Sequence, residues 1–263
     1  MSDKLFKSRP MKESYWHPQD NPYGFLMAPV DIIIPFHGQH NKVGALIESI
    51  FNTVRTNRYQ ITLVDDGSSN DKFIKEFKKV PGVVAHRSDE QKGFGAAVNL
   101  GLKNTRLPFV LIMHSDVVVS GNLWLTKLGE SFNALRPQNV KMISPRTDNP
   151  TGDDFLRAKI HDVQDDVMLP EGKFLPMYCA LCSRGLFTRV GTLKEYPYAG
   201  GEAEEFAARM CAQGYRQGVS GTSWVRHEGR GTLSEYDKNK RVQDELQKVK
   251  EMVGTDITKL LKN

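Results

Sequence analysis

The chain has 263 residues, of which 39% are hydrophobic and 25% charged, and a formal net charge of +5. These proportions exclude a disordered or fibrous chain, and the length suits one large α/β domain or two small ones. No apolar run approaches the roughly 20 residues that span a bilayer, so no integral membrane segment is expected. The opening MSDKLFKSRPMKESYW has no apolar stretch of the signal-peptide kind. Three cysteines, Cys179, Cys182 and Cys211, give an odd count and no disulfide framework. A reducing, cytoplasmic setting is therefore the expectation. The mild positive charge permits an anionic partner such as a nucleotide or nucleic acid without demanding one.

Residues 1–28 are polar, with scattered aromatics and prolines, and read as an N-terminal arm. The core begins at residues 30–35, VDIIIP, a buried strand ended by proline. Helical spacing follows at Val43, Leu46, Ile47, Ile50 and Val54. Residues 61–64 form a second strand that runs into Asp65-Asp66-Gly67-Ser68-Ser69. Phe73 and Phe77 mark a short helix, residues 83–85 a third strand, and residues 93–102 a stretch that starts glycine-rich and turns helical. Residues 110–119, VLIMHSDVVV, read as a buried central strand carrying His114-Ser115-Asp116 at its end. A helix over residues 123–135 and a strand over residues 140–144 come next.

This alternation predicts a mostly parallel sheet flanked by helices. Right-handed crossovers put the strand-to-helix turns along one edge, where open α/β sheets bind their ligands. Pro35-Phe36, Asp65-Asp66 and His114-Ser115-Asp116 should therefore converge on one cleft. Residues 149–173 are rich in Asp, Gly and Pro and read as a lid, a binding loop or a disordered stretch. Residues 174–183 are apolar again, and Cys179 and Cys182 inside that run read as buried thiols, since no second pair exists for a zinc site. Gly200-Gly201-Glu202 leads into a helix to about residue 213, residues 224–227 into a last strand, and residues 235–253 into a charged amphipathic helix.

Several residues suggest chemistry, each beside a plainer reading. Asp65 and Asp66 suit a helix cap and turn, yet two carboxylates at a cleft edge also suit a ligand contact such as the imide N–H of a uracil. Gly93, Gly95 and Gly101 do not follow the dinucleotide fingerprint; they would let a helix pack closely or a sugar nucleotide approach. Asn99 is either a hydrogen-bonded core residue or a ligand contact. Glu202, Glu204 and Glu205 suit the dipole of the helix they begin, but Gly200-Gly201 before them suggests close approach of a ligand. His227 is followed by glycines and a threonine, as in a loop closing over something. Asp116 and His227 together could hold one Mg²⁺ or Mn²⁺, with diphosphate oxygens and water completing the shell.

Seven blocks, in order, resemble the family 2 glycosyltransferases of the GT-A fold: VDIIIPFHG, ITLVDDGSSND, QKGFGAAVNLGL, VLIMHSDVVVSGNLWLTKL, ISPRTDN, GGEAEEFAARMCAQGY and VRHEGRGT. The resemblance covers about residues 30–232. It implies a GT-A domain over residues 29–234 and a helical extension over 235–263. The implied reaction is a metal-dependent, inverting transfer from a nucleoside-diphosphate sugar, a UDP-sugar first, to an acceptor hydroxyl. By that resemblance Pro35, Asp65 and Asp66 line the nucleoside site, with Phe36, Gly93, Asn99, His114 and Ser115 completing the nucleotide-sugar contacts. Asp116 is similar to the last Asp of the D-x-D element that binds the metal, and His227 to a late metal-associated His. Glu202 falls at the Glu of a Glu-Asp motif.

The chain departs from the pattern twice. His114 stands where the first Asp of D-x-D usually is, which implies altered nucleotide or ribose contacts with the metal retained. Ala203 replaces the usual Asp base, so that Glu202, or Glu204 in its stead, must take the acceptor proton. The acceptor is left open between a glycan, a protein side chain and a nucleic acid, modified DNA included, and a homo-oligomer is compatible with the sequence. The alternative from another class is a non-catalytic sugar-nucleotide-binding scaffold, suggested by Ala203 and His114. A nucleotidyltransferase lacks support, since no basic glycine-rich loop follows the first strand.

Overall fold

The computed structural model describes residues 29–54, 58–149, 156–158, 162–170, 173–196 and 200–229. The N-terminal arm and the C-terminal helix expected from sequence lie outside them. The elements in order are β1 (Val30–Phe36), α1 (His40–Thr53), β2 (Tyr59–Asp66), α2 (Lys72–Phe77), β3 (Val83–Ser88), α3 (Phe94–Lys103), β4 (Phe109–Met113) and β5 (Val117–Val119). There follow α4 (Trp124–Leu135), β6 (Val140–Thr147), β7 (Val167–Met168), β8 (Cys179–Ser183), α5 (Gly185–Val190), α6 (Glu202–Ala212) and β9 (Arg216–His227).

One sheet runs β3-β2-β1-β4-β8-β6-β9-β5, with β7 added alongside β9. The half from β3 to β4 is parallel, as helical crossovers require. Every residue of β1 is buried, which is why it reads as a continuous apolar run rather than an alternating one. Beyond β4 the sheet is mixed. β8 runs antiparallel to both β4 and β6, while β9 runs parallel to β6 and antiparallel to β5 and β7. The physical reason is the connection: among the described residues between β6 and β8, no α-helix carries the chain back over the sheet.

The stretch 110–119 is two strands, not one. β4 lies between β1 and β8, whereas β5 pairs with the end of β9 at the sheet's edge. The chain changes direction in the turn at Ser115 and Asp116. That break is what lifts His114, Ser115 and Asp116 to the C-terminal edge of the parallel strands.

A buried ion pair closes the opposite end of β1. Arg184 donates to Asp31 at 2.6 Å, and the backbone N–H of Leu107 donates to the same oxygen at 2.7 Å. Burial raises the Asp31 carboxyl above its usual range, against the opposing pull of Leu107 and Arg184. Cys179 and Cys182 are buried in β8 as expected, and burial pushes the Cys182 thiol up to about 12. Among the described residues no helix is long and apolar enough to cross a membrane.

Candidate active site and metal centre

The loop after β1 is tied to the loop after β2. The Nδ1–H of His37 donates to the carbonyl of Asp66 at 2.7 Å, and the N–H of Gly38 to the hydroxyl of Ser68 at 2.8 Å. Phe36 is buried and meets His40 and Phe77 edge-on, with ring centroids at 5.9 and 6.4 Å. Pro35 lies beside Val64 in the parallel register.

Asp65 and Asp66 are both buried, and both are engaged within the chain. Asp65 accepts from the backbone and hydroxyl of Ser68 and from the guanidinium of Arg87, which also donates to the Ser68 carbonyl. Arg87 stands opposite Asp65 in the β2–β3 register. Asp66 accepts the N–H of Lys92 at 2.9 Å and of Gly93 at 2.8 Å. Asp65 thus holds the turn read from sequence, neither carboxylate caps the following helix, whose N-cap position is Asp71, and Asp66 fixes the entry to α3. Asn99 is half-buried and bonded within the chain: it donates to the Leu193 carbonyl and to Glu195, both at 2.9 Å, and accepts the Leu193 N–H at 3.1 Å. These bonds clamp the 193–195 segment onto α3.

Asp116 and His227 come together, with Nε2 of His227 3.3 Å from Oδ1 of Asp116. β5 and β9 achieve this, since their antiparallel register sets Val117 opposite His227. The other ring nitrogen of His227 donates to the carbonyl of Asn149 at 3.1 Å. That bond orients the ring with Nε2 facing Asp116, the arrangement of many metal-bound histidines. Tyr178 stacks on the same imidazole, and its hydroxyl donates to the Pro145 carbonyl at 2.6 Å.

Burial opposes the charge on Asp116. The hydrogen bond from His227 and the nearby His114, His227 and Lys42 outweigh it and hold the carboxyl down to about 2. His114 is the unexpected neighbour. Sequence assigned it to the nucleotide, but its ring lies 5.7 Å from that of His227, and one ligand atom each from His114, Asp116 and His227 all fall within 4.8 Å of one another. Burial pushes the His114 imidazole down to about 4, so its lone pair is available at neutral pH. Ser115 is half-buried in the same turn. One carboxylate and imidazole nitrogen form a donor set that suits a divalent first-row cation.

Three consecutive residues at the start of α3 link the parts of the site. Gly93 gives its N–H to Asp66. Phe94 meets the His114 ring edge-on at 5.1 Å. Gly95 leaves room for the segment beyond Asn99 and for α6: a Cβ there would lie 2.2 Å from the Lys194 carbonyl and 3.3 Å from Cγ of Glu202. Glu202 begins α6, is buried, and accepts the N–H of Gly200 at 2.7 Å. Glu204 is half-buried on the same turn, and burial raises its carboxyl above the ordinary range. Glu205 is paired with Arg209 through two bonds of 2.7 Å, and Arg209 continues to the carbonyls of Val190 and Thr192.

Sequence reasoning missed Arg87, Phe94 and Tyr178. An arginine in strand register with a cleft aspartate is a usable signal for Arg87. The aromatic residues carried none, because an aromatic in a core element reads as packing.

A family model described as glycosyl transferase family 2 matches residues 31–191, more than half of the chain. No curated protein sequence matches it. Among solved structures, the fold is similar to the mannosyltransferase PcManGT from Pyrobaculum calidifontis, in complex with GDP-Man and Mn²⁺, at 15% identity and a TM-score of 0.59 over 82% of this chain and 61% of that one. It is also similar to S. aureus TarS 1-349 in complex with UDP-GlcNAc, at 13% identity, a TM-score of 0.60 and coverage of 84% and 65%. A third is GalNAc-T7 with UDP, GalNAc and Mn²⁺, at 17% identity, a TM-score of 0.60 and coverage of 89% and 56%. At such identities the likeness carries the fold, which is of the GT-A type. The chain spans less than two thirds of the length of each of these three.

Proposed function

Because the chain belongs to glycosyl transferase family 2, we propose that it transfers a sugar from a nucleoside-diphosphate donor, a UDP-sugar first, to an acceptor hydroxyl, with inversion at the anomeric carbon. The observation that carries this reading is the convergence at the first turn of α3. There the Asp66 loop, the His114–Asp116–His227 group and Glu202 meet at the C-terminal edge of the parallel strands.

Asp116 and His227 would hold Mn²⁺ or Mg²⁺. When bound, such an ion supplies positive charge for the leaving diphosphate. The loops after β1 and β2, held by His37, Ser68, Asp65 and Arg87, give the nucleoside a preformed wall. A single displacement also needs a base for the acceptor proton. Glu202 has the place for it, against Gly95 at the start of α3, next to the Phe94 ring that meets His114. Glu204 has the chemistry for it, since a raised carboxyl pKa suits a base working near neutral pH, and no described residue outside its own backbone bonds it. Substitution by Gln at each position separates the two.

The acceptor side is supported by a groove of about 260 Å³ lined by Asn122, Leu123, Trp124, Lys127, Asp162 and Trp224 among others. β5 leads from Asp116 to it, a path of about 10 Å at ~3.3 Å per residue. Asp162 brings the loop foreseen at residues 149–173 into that groove. The acceptor is a hydroxyl on a glycan or another macromolecule, modified DNA included.

The test is release of nucleotide from a panel of UDP-, GDP-, dTDP- and CDP-sugars with Mn²⁺ or Mg²⁺, with and without acceptors. Wild type is compared with Asp116→Ala, Glu202→Gln and Glu204→Gln. Metal-dependent release from one donor, lost in Asp116→Ala, is the expected result. Tight donor binding with no release under any acceptor would favour the scaffold reading, for which Ala203 is the motive. Absence of any donor binding would defeat both.

A further inference from the structure

Two imidazoles and one carboxylate meet where the resemblance implies one of each, Asp116 and His227. We propose that His114 is a direct ligand of the metal, and that the resulting set of two histidines and one carboxylate selects Mn²⁺ and neighbouring transition ions over Mg²⁺. The proposal rests on the metal-dependent reading of this site and adds to it a ligand and a metal preference.

The geometry carries the first half. His114 and Asp116 are two residues apart in one turn, and their ligand atoms lie within 4.8 Å of each other and of the His227 nitrogen. Donor atoms on one ion, each about 2.0–2.2 Å from it, stand at most ~4.4 Å apart. Closure by a fraction of an ångström therefore suffices. The backbone of His114 is fixed by its N–H bond to the Tyr178 carbonyl at 2.9 Å. Among the described residues its ring meets those of Phe94 and His227, and none of them hydrogen-bonds its nitrogens. A half-buried imidazole kept in position with its nitrogens uncommitted, beside a carboxylate and a second imidazole, is suited to ligation. His227 is already oriented through Asn149, so both rings can present a lone pair to the same point.

The chemistry carries the second half. Mg²⁺ takes oxygen ligands in near-ideal octahedral geometry and gives up water reluctantly. Neutral imidazole suits transition ions, whose affinity for nitrogen donors rises along the first row. Each oxygen replaced by nitrogen therefore shifts the preference away from Mg²⁺. A competing role, donation from the His114 ring to a diphosphate oxygen, leaves metal affinity untouched by loss of the ring.

The experiment measures metal directly. Mn²⁺ and Mg²⁺ are titrated calorimetrically into wild type, His114→Ala, His114→Asp and Asp116→Ala, alone and with UDP present. Pulsed electron paramagnetic resonance of bound Mn²⁺ counts the coordinated nitrogens, and circular dichroism verifies that each variant is folded. Wild type should bind Mn²⁺ through two nitrogens and His114→Ala through one, with affinity falling by ~100-fold, the upper end of what loss of an outer-sphere partner costs. His114→Asp should narrow the gap between Mn²⁺ and Mg²⁺. A single nitrogen in wild type, or unchanged Mn²⁺ affinity in a folded His114→Ala, overturns the proposal and leaves the transferase reading standing. If wild type binds neither ion, with or without UDP, the metal-dependent reading falls together with it.

Discussion

Tyr178 lies almost flat against His227, with ring centroids 5.1 Å apart and 16° between the planes. The stack and the Asn149 carbonyl hold the imidazole from two directions. Tyr178→Phe keeps the ring and loses the bond to Pro145, so it should cost about 1 kcal/mol of stability and leave Mn²⁺ affinity unchanged. Tyr178→Leu removes the platform and should weaken Mn²⁺ binding by ~10-fold. Urea unfolding beside metal titration reads both effects. Equal metal affinity in the two variants would show that the stack does not orient His227.

Asp66→Ala leaves the N–H groups of Lys92 and Gly93 without their acceptor. A loss of about 1–3 kcal/mol is expected in denaturant unfolding. Since Gly93 begins the turn that carries Phe94, nucleotide binding in the presence of Mn²⁺ should weaken in the same variant. Unchanged stability would mean that the carboxylate does not organise the turn.

A pH profile bears on the choice of base. Burial raises the Glu204 carboxyl above 4.5, so it stays protonated to a higher pH than an ordinary glutamate. If it is the base, kcat/KM falls as the pH drops through that raised value and is regained above it. Glu204→Gln should abolish turnover, leaving no acid limb to measure, while Glu202→Gln keeps the limb where it was. The reverse pattern assigns the role to Glu202.

Arg184→Ala strands the buried Asp31 carboxylate. The cost should be about 3–5 kcal/mol, as for other buried pairs broken on one side. Asp31→Leu combined with Arg184→Met should recover most of it. Thermal and urea unfolding of the single and double variants check this, and an additive double variant would deny the pairing.

The parallel half of the sheet was legible because β1, β2 and β4 are short apolar runs ended by turn residues, and their alternation with helices fixes direction. The same logic brings Asp66, Asp116 and the end of β1 to one edge. Hydrophobic pattern could not show that the run 110–119 breaks at Ser115, because both halves are apolar and belong to one sheet. Nor could it show that β9 starts at Arg216. Its first eight residues, RQGVSGTS, are polar and glycine-bearing, and they form a strand because β6 and β7 pair with them. Gly221 packs so closely on the 164–165 backbone that a Cβ would lie 1.9 Å from the Gln164 carbonyl. His114 was assigned to the nucleotide because sequence gives its place in a motif, whereas its nearness to His227 depends on the pairing of β5 with β9.

The tripeptide Gly93-Phe94-Gly95 has a consequence for engineering. A graft that exchanges the chain up to the end of α3 at Lys103 for that of a relative carries these residues with it. Phe94 would then meet a foreign His114 turn, and position 95 a foreign Lys194 and Glu202. The start of α3, the His114 turn and the start of α6 are therefore not separable modules here. A working chimera has to take its crossover after Lys194 and Glu202, or import them along with the helix they touch.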